Sequence, residues 1–473
     1  MSKNIVHFGV GNFHRAHQAV YLQDLHDKGE AQEWRIIGVG VLDHDRAMKD
    51  ALAAHGYRYS LVLKAPSGEW TRREIRSITD MLVAPDEPQA VRDLLASPET
   101  ALVTLTITEG GYNINDETGE FRRHSPAAMR DAEDPEHPTT VFGYIVQALR
   151  RRRTTGLPPF TVLSCDNLPG NGAIVRSAVL AQAEMSDPEL AEWIANHVAF
   201  PNSMVDRITP VTTSQVREEI TTRYGIEEQW PVSAEPFCQW VIEDNFCHER
   251  PAFEHVGADL VKDVQPYELM KLRLLNASHQ ILAHLGRPLG LTFAHEAATD
   301  PDIVAFTRLY LKREACPTLA TLPGCDVEAY IDTLFERFAN AAIADTLARL
   351  AQDASDRMPK FILGTIRDNI DAGRAIDLGA GVCAAWAYGC RGMTENGEEL
   401  PVEDSHAEEL VSAAKAADHG ETLAFAHISS VFGDLAVDPA FSAAYTDAYE
   451  SLQTLGMRAW IRSFSEAVSR PSA

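Results

Sequence analysis

Glu268, Lys271, Asn276 and His279 bring an acid, an amine, an amide and an imidazole into one short stretch. Such a set can take a proton from an alcohol and steady the oxygen as it becomes a carbonyl, with no metal needed. The stretch lies in a helical pattern over residues 266–285. Pro266 suits a first helical position, and Gly286 followed by Pro288 suits a stop. At about 100° per residue, Met270, Leu274, Leu275, Ala277, Ile281, Leu282 and Leu285 form one apolar arc, and Lys271 falls inside it. A lysine so placed either snorkels outward or is held where its charge is poorly solvated. In the second case its pKa falls, the direction a general base needs. Glu268 lies one turn earlier on the same side, and Asn276 and His279 lie on the neighbouring edge. The four could line one wall of a cleft. A core helix with a snorkelling lysine and a hydrogen-bonded histidine would show the same pattern.

Such groups need a scaffold, and the N-terminal sequence offers one. Residues 4–10 read as a buried strand, followed by Gly9-Val10-Gly11-Asn12-Phe13-His14-Arg15 and a helix over 16–26. Strand, glycine turn and helix in that order are the setting of a dinucleotide fingerprint. His14 replaces the third glycine, so the motif is incomplete and is also compatible with a βα turn that binds nothing. Gly9 and Gly11 still allow a tight turn against a pyrophosphate, and Arg15 could add a cation. A second strand over 34–42 ends in Asp43-His44-Asp45-Arg46. An acid there suits a ribose and repels a 2′-phosphate, while Arg46 pulls the other way. Further strands are expected at 57–63, 74–78 and 101–108. The last runs into Thr108-Glu109-Gly110-Gly111, which suits either a crevice rim touching a cofactor or a plain turn.

Residues 117–137 read as a polar surface excursion. A helix over 141–153 ends in the basic run Arg150 to Arg153, read as solvated. A strand over 160–164 leads into Cys165-Asp166-Asn167, whose short polar groups could donate to a ligand but are also ordinary turn formers. In residues 200–210, Asp206 and Arg207 stand between Val205 and Ile208, an arrangement that suits an ion pair at a domain seam. A mixed segment over 230–265 follows. Beyond residue 302 the pattern is helical, with helices expected at 329–351 and 407–417. The fold class is therefore α/β. A Rossmann-type NAD-binding domain with insertions is expected over 1–265, and a mainly helical substrate-binding domain over 266–473, with the Lys271 helix at the seam.

The 473 residues carry a formal net charge of −26, which would repel nucleic acid and anionic membrane surfaces. No apolar run approaches the ~20 residues of a membrane span, and the N-terminus lacks a signal-peptide pattern, so a cytoplasmic location is expected. Seven scattered cysteines without a CxxC suggest neither a disulfide framework nor a zinc–thiolate site. His14 and His17 could share a metal only in isolation, because zinc dehydrogenases add thiolates and no Cys–His cluster is visible. No metal is expected.

Three segments together resemble the long-chain mannitol dehydrogenase family of polyol-specific oxidoreductases. They are the turn from Gly9 to His17, residues 200–210 around Val205-Asp206-Arg207-Ile208, and the pattern Lys271-x4-Asn276-x2-His279. The likeness extends over nearly the whole chain and includes Ser164-Cys165-Asp166-Asn167. It implies NAD-dependent hydride transfer between a polyol and a ketose, D-mannitol and D-fructose foremost, with D-arabinitol, other polyols or hexuronates as alternatives. Lys271 would be the general base, Asn276 and Asn167 the oxyanion donors, His279 an orienting group and Glu268 a proton relay. Asp45 would hold the ribose, with Phe13, His14 and Arg15 in the cofactor turn. His44 stands where some relatives carry a second acid. Arg349 and Lys360 match positions that contact the polyol or shape its pocket, and Asp206 would sit near the substrate or support the seam. Members of the family are often monomers, and the acidic charge is compatible with that. A chain that kept the fold and lost the chemistry would bind NADH and reduce no ketose.

Overall fold

The computed structural model describes residues 2–115, 118–322 and 325–469, with side chains to Phe464 in the last helix. The chain divides into two compact units, 1–265 and 266–473.

In the first unit, five strands form a parallel sheet: β1 (Lys3–Phe8), β2 (Trp34–Gly40), β3 (Ile78–Val83), β4 (Thr100–Leu105) and β5 (Thr161–Ser164). Their spatial order is β3-β2-β1-β4-β5. The order reverses at β1, so a crevice opens beyond the carboxyl ends of β1 and β4, the general ligand position in such sheets. The inner strands β1 and β4 are almost continuously buried, as in a parallel sheet covered on both faces. Two small sheets are added. Tyr59–Lys64 pairs with Trp70–Ile75 and Val232–Ala234, and Gln239–Glu243 pairs with Ser203–Asp206 and Asp259–Val261. The single strand expected at 74–78 is thus two strands, Trp70–Ile75 in a small sheet and Ile78–Val83 in the main one.

Two polar stretches read as solvated are anchored. Arg152 is fully buried and donates to the carbonyls of Leu95, Ser97 and Pro158 at 3.2, 2.7 and 2.7 Å. Within the excursion, Asp131 is buried and accepts from the amides and hydroxyls of Thr139 and Thr140 at 2.6–2.9 Å. In both cases several bonds to one charged group offset its desolvation. The excursion's first residue, Glu117, lies outside the described residues.

The second unit is helical. Its central helix runs Gln265–Lys271, opens into a π turn at Leu272–Asn276, and continues as Ala277–Gly286. Leu274, Ile281, Leu282 and Leu285 on it are fully buried against Ile303, Phe306, Leu347 and Met358. The helix expected over 329–351 is broken. Val327–Phe338 ends, and Thr346 bridges to Phe293 and caps a new short helix, Leu347–Ala351. No helix among the described residues is long and apolar enough to cross a membrane. All seven cysteines are free thiols.

A second π turn, Leu311–Ala315, places a buried acid in this core. The Glu314 carboxylate accepts the amides of Leu378 and Gly379 at 2.7 and 2.8 Å, capping the helix Asp377–Gly389. Burial outweighs these bonds and pushes its pKa up to about 7. The folded value thus exceeds the unfolded one, so the folded chain takes up a proton. That contribution is complete below pH ~4.5 and is lost as pH rises through about 7. Thermal unfolding should therefore show a loss on the order of 2–3 kcal/mol across this window. Glu314→Gln should flatten that slope, and an unchanged slope would remove Glu314 as its source.

Candidate active site

In the first unit, the crevice begins at the carboxyl end of β1. Gly9 has φ +90°, and a Cβ there would lie 2.0 Å from the Thr106 carbonyl oxygen, so only glycine fits. Its own carbonyl accepts from the Gly11 amide at 2.8 Å and the Thr106 hydroxyl at 2.6 Å, which closes the turn. At the end of β2, the Asp45 carboxylate accepts the Leu42 amide at 2.9 Å. A Cβ on Gly40 would overlap that carboxylate at 2.7 Å, so Gly40 leaves the acid its place. Leu42 beside it is 53% exposed, an apolar surface of the kind a nucleotide base covers. Glycine turn, acid and exposed leucine fit the requirements of a dinucleotide.

The side chains of this turn are engaged within the protein. Arg15 is not a free cation for phosphate. Its guanidinium is buried and donates to Gly11 O, Asn12 Oδ1 and Trp230 O at 3.3, 2.6 and 2.5 Å, and burial pushes its pKa down to about 10. His14 also points inward. Its ring stacks on His7 with centroids 3.4 Å apart, and burial lowers its pKa well below the usual value. Phe13 is half-buried and stacks on His17, whose Nε2 meets Gln239 O at 2.8 Å, so His14 and His17 face separate partners. The arginine turns inward onto the carbonyls of Gly11 and Trp230, the second of them 215 residues away in sequence. Spacing alone does not reveal that.

Arg46 is likewise engaged. It meets Asp86 through two bonds of 2.7 Å and Asp43 at 2.8 Å, which raises its pKa and leaves Asp45 as the acid without a cation on that loop. His44 lies 3.9 Å from Asp45 and is exposed.

The loops after β4 and β5 are tied by Asp166. Its carboxylate accepts the amides of Ile107 and Thr108 at 2.9 and 3.0 Å and the Tyr112 hydroxyl at 2.6 Å. Burial nevertheless raises its pKa. The tie holds Thr108 at φ +59°, a strained value for a β-branched residue, directly before Glu109. Glu109 and Asn167 are both exposed on these loops. Asp166 and His7 were not singled out in the sequence. His7 could have been, as a polar residue inside the apolar strand Lys3–Phe8.

In the second unit, Glu268, Lys271, Asn276 and His279 occupy one helix. Lys271 is 7% exposed. In an unbroken α-helix, Lys271 and Asn276 would lie about 140° apart. The π turn changes this. The Ala277 amide bonds to Leu272 O, five residues back, and a turn of that size brings residues i and i+5 closer in angle than an α-helix does. Asn276 thereby comes round toward Lys271's side, and His279 follows three residues on. The His279 ring lies 4.7 Å from that of Phe338. The π turn replaces the neighbouring edge expected for Asn276.

Two domain models of one family match the chain, the mannitol dehydrogenase Rossmann domain over residues 3–255 and the mannitol dehydrogenase C-terminal domain over 263–453. The chain belongs to the mannitol dehydrogenase family. Mannitol 2-dehydrogenase of Cereibacter sphaeroides is 40% identical, covering 99% of this chain and 97% of the relative. Its counterpart from Phaeosphaeria nodorum is also 40% identical, covering 98% and 82%. Among solved structures, the Pseudomonas fluorescens mannitol 2-dehydrogenase ternary complex with NAD and D-mannitol is similar at TM-score 0.86 and 44% identity, covering 100% of this chain and 95% of that one. A D-sorbitol dehydrogenase in substrate-free form is similar at TM-score 0.91 and 36% identity, covering 98% and 95%.

The remaining positions expected from the mannitol dehydrogenase family are placed as follows. Arg349 is exposed and held by both oxygens of Asp345, and Lys360 is exposed and meets Asp356 at 2.7 Å. Arg357 donates to the carbonyls of Arg349 and Leu350. Asp206 is buried at the end of Ser203–Asp206. Its neighbour Arg207 donates to Glu235 O and Ala16 O at 3.0 and 2.6 Å, acting as a backbone tie. Among the described residues, no group of three or more His, Cys, Asp or Glu is arranged to hold a metal ion.

Proposed function

We propose that this chain interconverts D-mannitol and D-fructose with NAD, as a mannitol 2-dehydrogenase with a lysine general base. What supports the reading is that Lys271, Asn276 and His279 lie on one helix whose π turn brings the first two closer in angle. Relatives named mannitol 2-dehydrogenase and a similar structure with NAD and D-mannitol support the substrate and cofactor. Bound NAD would supply the hydride acceptor.

Lys271 takes the proton from the substrate hydroxyl as the carbon loses hydride. Its low exposure keeps the amine out of open solvent. Asn276 donates its amide N–H to the oxygen, which gains negative charge and then becomes a carbonyl. We assign Asn167 the same role. Neutral donors suit this step because their bonds strengthen as charge develops, without holding the substrate as a fixed ion. His279 orients a neighbouring hydroxyl, and Glu268 passes the proton from Lys271 to water. The Gly9–Gly11 turn receives the pyrophosphate, Asp45 the ribose hydroxyls, and Glu109 the cofactor's other end. Asp206, Arg349 and Lys360 are assigned to the polyol pocket. The domains follow the two units, 1–265 for NAD and 266–473 for substrate, in a chain that works as a monomer in the cytoplasm.

Other polyols, D-arabinitol and D-sorbitol among them, are the second reading, supported by the likeness to a D-sorbitol dehydrogenase. A hexuronate is disfavoured. Its carboxylate needs a cation, and Arg349, Arg357 and Lys360 already have acceptors. Initial rates on mannitol, arabinitol, sorbitol and fructuronate test the reading. Mannitol should give the highest kcat/KM, and no turnover of mannitol would overturn it.

Lys271→Ala should lower turnover by several orders of magnitude, with partial rescue by primary amines in the assay. Near-normal turnover would take the base role from the lysine. Asp45→Ala should narrow the NAD/NADP ratio of kcat/KM, because the charge that repels a 2′-phosphate is gone and Arg46 stays bound to Asp86 and Asp43. An unchanged ratio would move the ribose contact to another residue.

A further inference from the structure

The register that brings Asn276 round toward Lys271 depends on a π turn, and a π turn is a strained insertion that neighbours must hold. Arg273 lies inside it. Its guanidinium is nearly buried, meets Asp368 Oδ2 at 2.6 Å and donates to the Thr318 carbonyl at 3.1 Å. These acceptors come from two other places. Thr318 ends the short 3-10 helix Cys316–Thr318, directly after the π turn Leu311–Ala315. Asp368 lies in the helix Gly364–Asp371, directly after a third π turn, Pro359–Leu363. Both of those π turns pack against Leu272–Asn276. One side chain thus links all three irregular helices.

We propose that Arg273 is a positioning residue for the reaction: its fork to Asp368 and Thr318 fixes the π turn that brings Asn276 round toward the side of Lys271. The proposal rests on the catalytic reading of those two residues. Arginine suits the task because its planar fork serves a carboxylate and a carbonyl at once, which an ammonium point charge does less well. Loss of the fork lets the turn relax toward α-helical register, rotating Asn276 away from the lysine while leaving the dinucleotide unit untouched. Misplacing a reacting group by about 1 Å costs on the order of 100-fold in rate.

The test compares Arg273→Met, Arg273→Lys and Asp368→Asn with Lys271→Ala in the full chain, reading kcat with mannitol, KM for NAD, and NADH binding stoichiometry. Arg273→Met should lower kcat by about one to two orders of magnitude, with NADH stoichiometry and KM for NAD unchanged. That split separates a misaligned centre from a partly unfolded protein. Arg273→Lys should recover part of the loss while Asp368 is present and less of it in combination with Asp368→Asn. Asp368 is half exposed, so its variant is mild and keeps the test open if Arg273→Met does not fold. Turnover within twofold of normal in both Arg273→Met and Asp368→Asn, beside an inactive Lys271→Ala, would overturn the positioning role and leave the catalytic reading intact. A fully active Lys271→Ala would overturn both.

Discussion

An α-helix repeats every 3.6 residues, so two groups five apart look in different directions unless the helix is locally widened. The segment from Leu272 to Asn276 supplies that widening through a bond from Ala277 back to Leu272. The surrounding helices are arranged to keep it. Leu274 and Leu275 are buried in the core of the second unit, Arg273 reaches Asp368 and Thr318, and two further π turns pack against the first. Glu314 in one of them reaches on to the start of Asp377–Gly389, so the same irregularity also organises a neighbouring buried helix.

The first unit reaches rigidity by a different route. Several charged side chains are drawn inside and matched to backbone groups. Arg15, Arg152 and Arg207 each donate to carbonyls, while Asp131 and Asp166 accept amides and hydroxyls. A buried ion without partners would be prohibitive, but several short bonds to fixed dipoles offset its desolvation. The result is a set of loops at the carboxyl ends of β1, β4 and β5 whose paths are set by interior ties.

Much of this was legible in the sequence. Strand β1, the glycine turn, the acid after β2 and the long helix around Lys271 carry strong local signals: buried apolar runs, glycines at tight turns, a proline start. What escaped depended on partners distant in sequence. The inward turn of Arg15 needs Trp230 O, and the burial of Arg152 needs carbonyls near residues 95 and 97. The strand Ile78–Val83 hid because Ser77, Thr79 and Asp80 interrupt its apolar pattern, and it is fixed by pairing with β2. The π turn left no mark, since a helical projection assumes one uniform angle. Of the candidate site, the residue types on the Lys271 helix come from the sequence, and the π turn between Lys271 and Asn276 does not. The break after Phe338 was hidden by an alanine-rich run that satisfies helical spacing on both sides.

Gly40 shows how far such an arrangement reaches. Any side chain at that strand position would enter the space of the Asp45 carboxylate and displace it. On the reading that Asp45 holds the ribose, the choice between two nucleotides that differ by one phosphate would rest on a hydrogen atom in the sheet. Changing the coenzyme would then be a question of strand geometry as much as of loop charge.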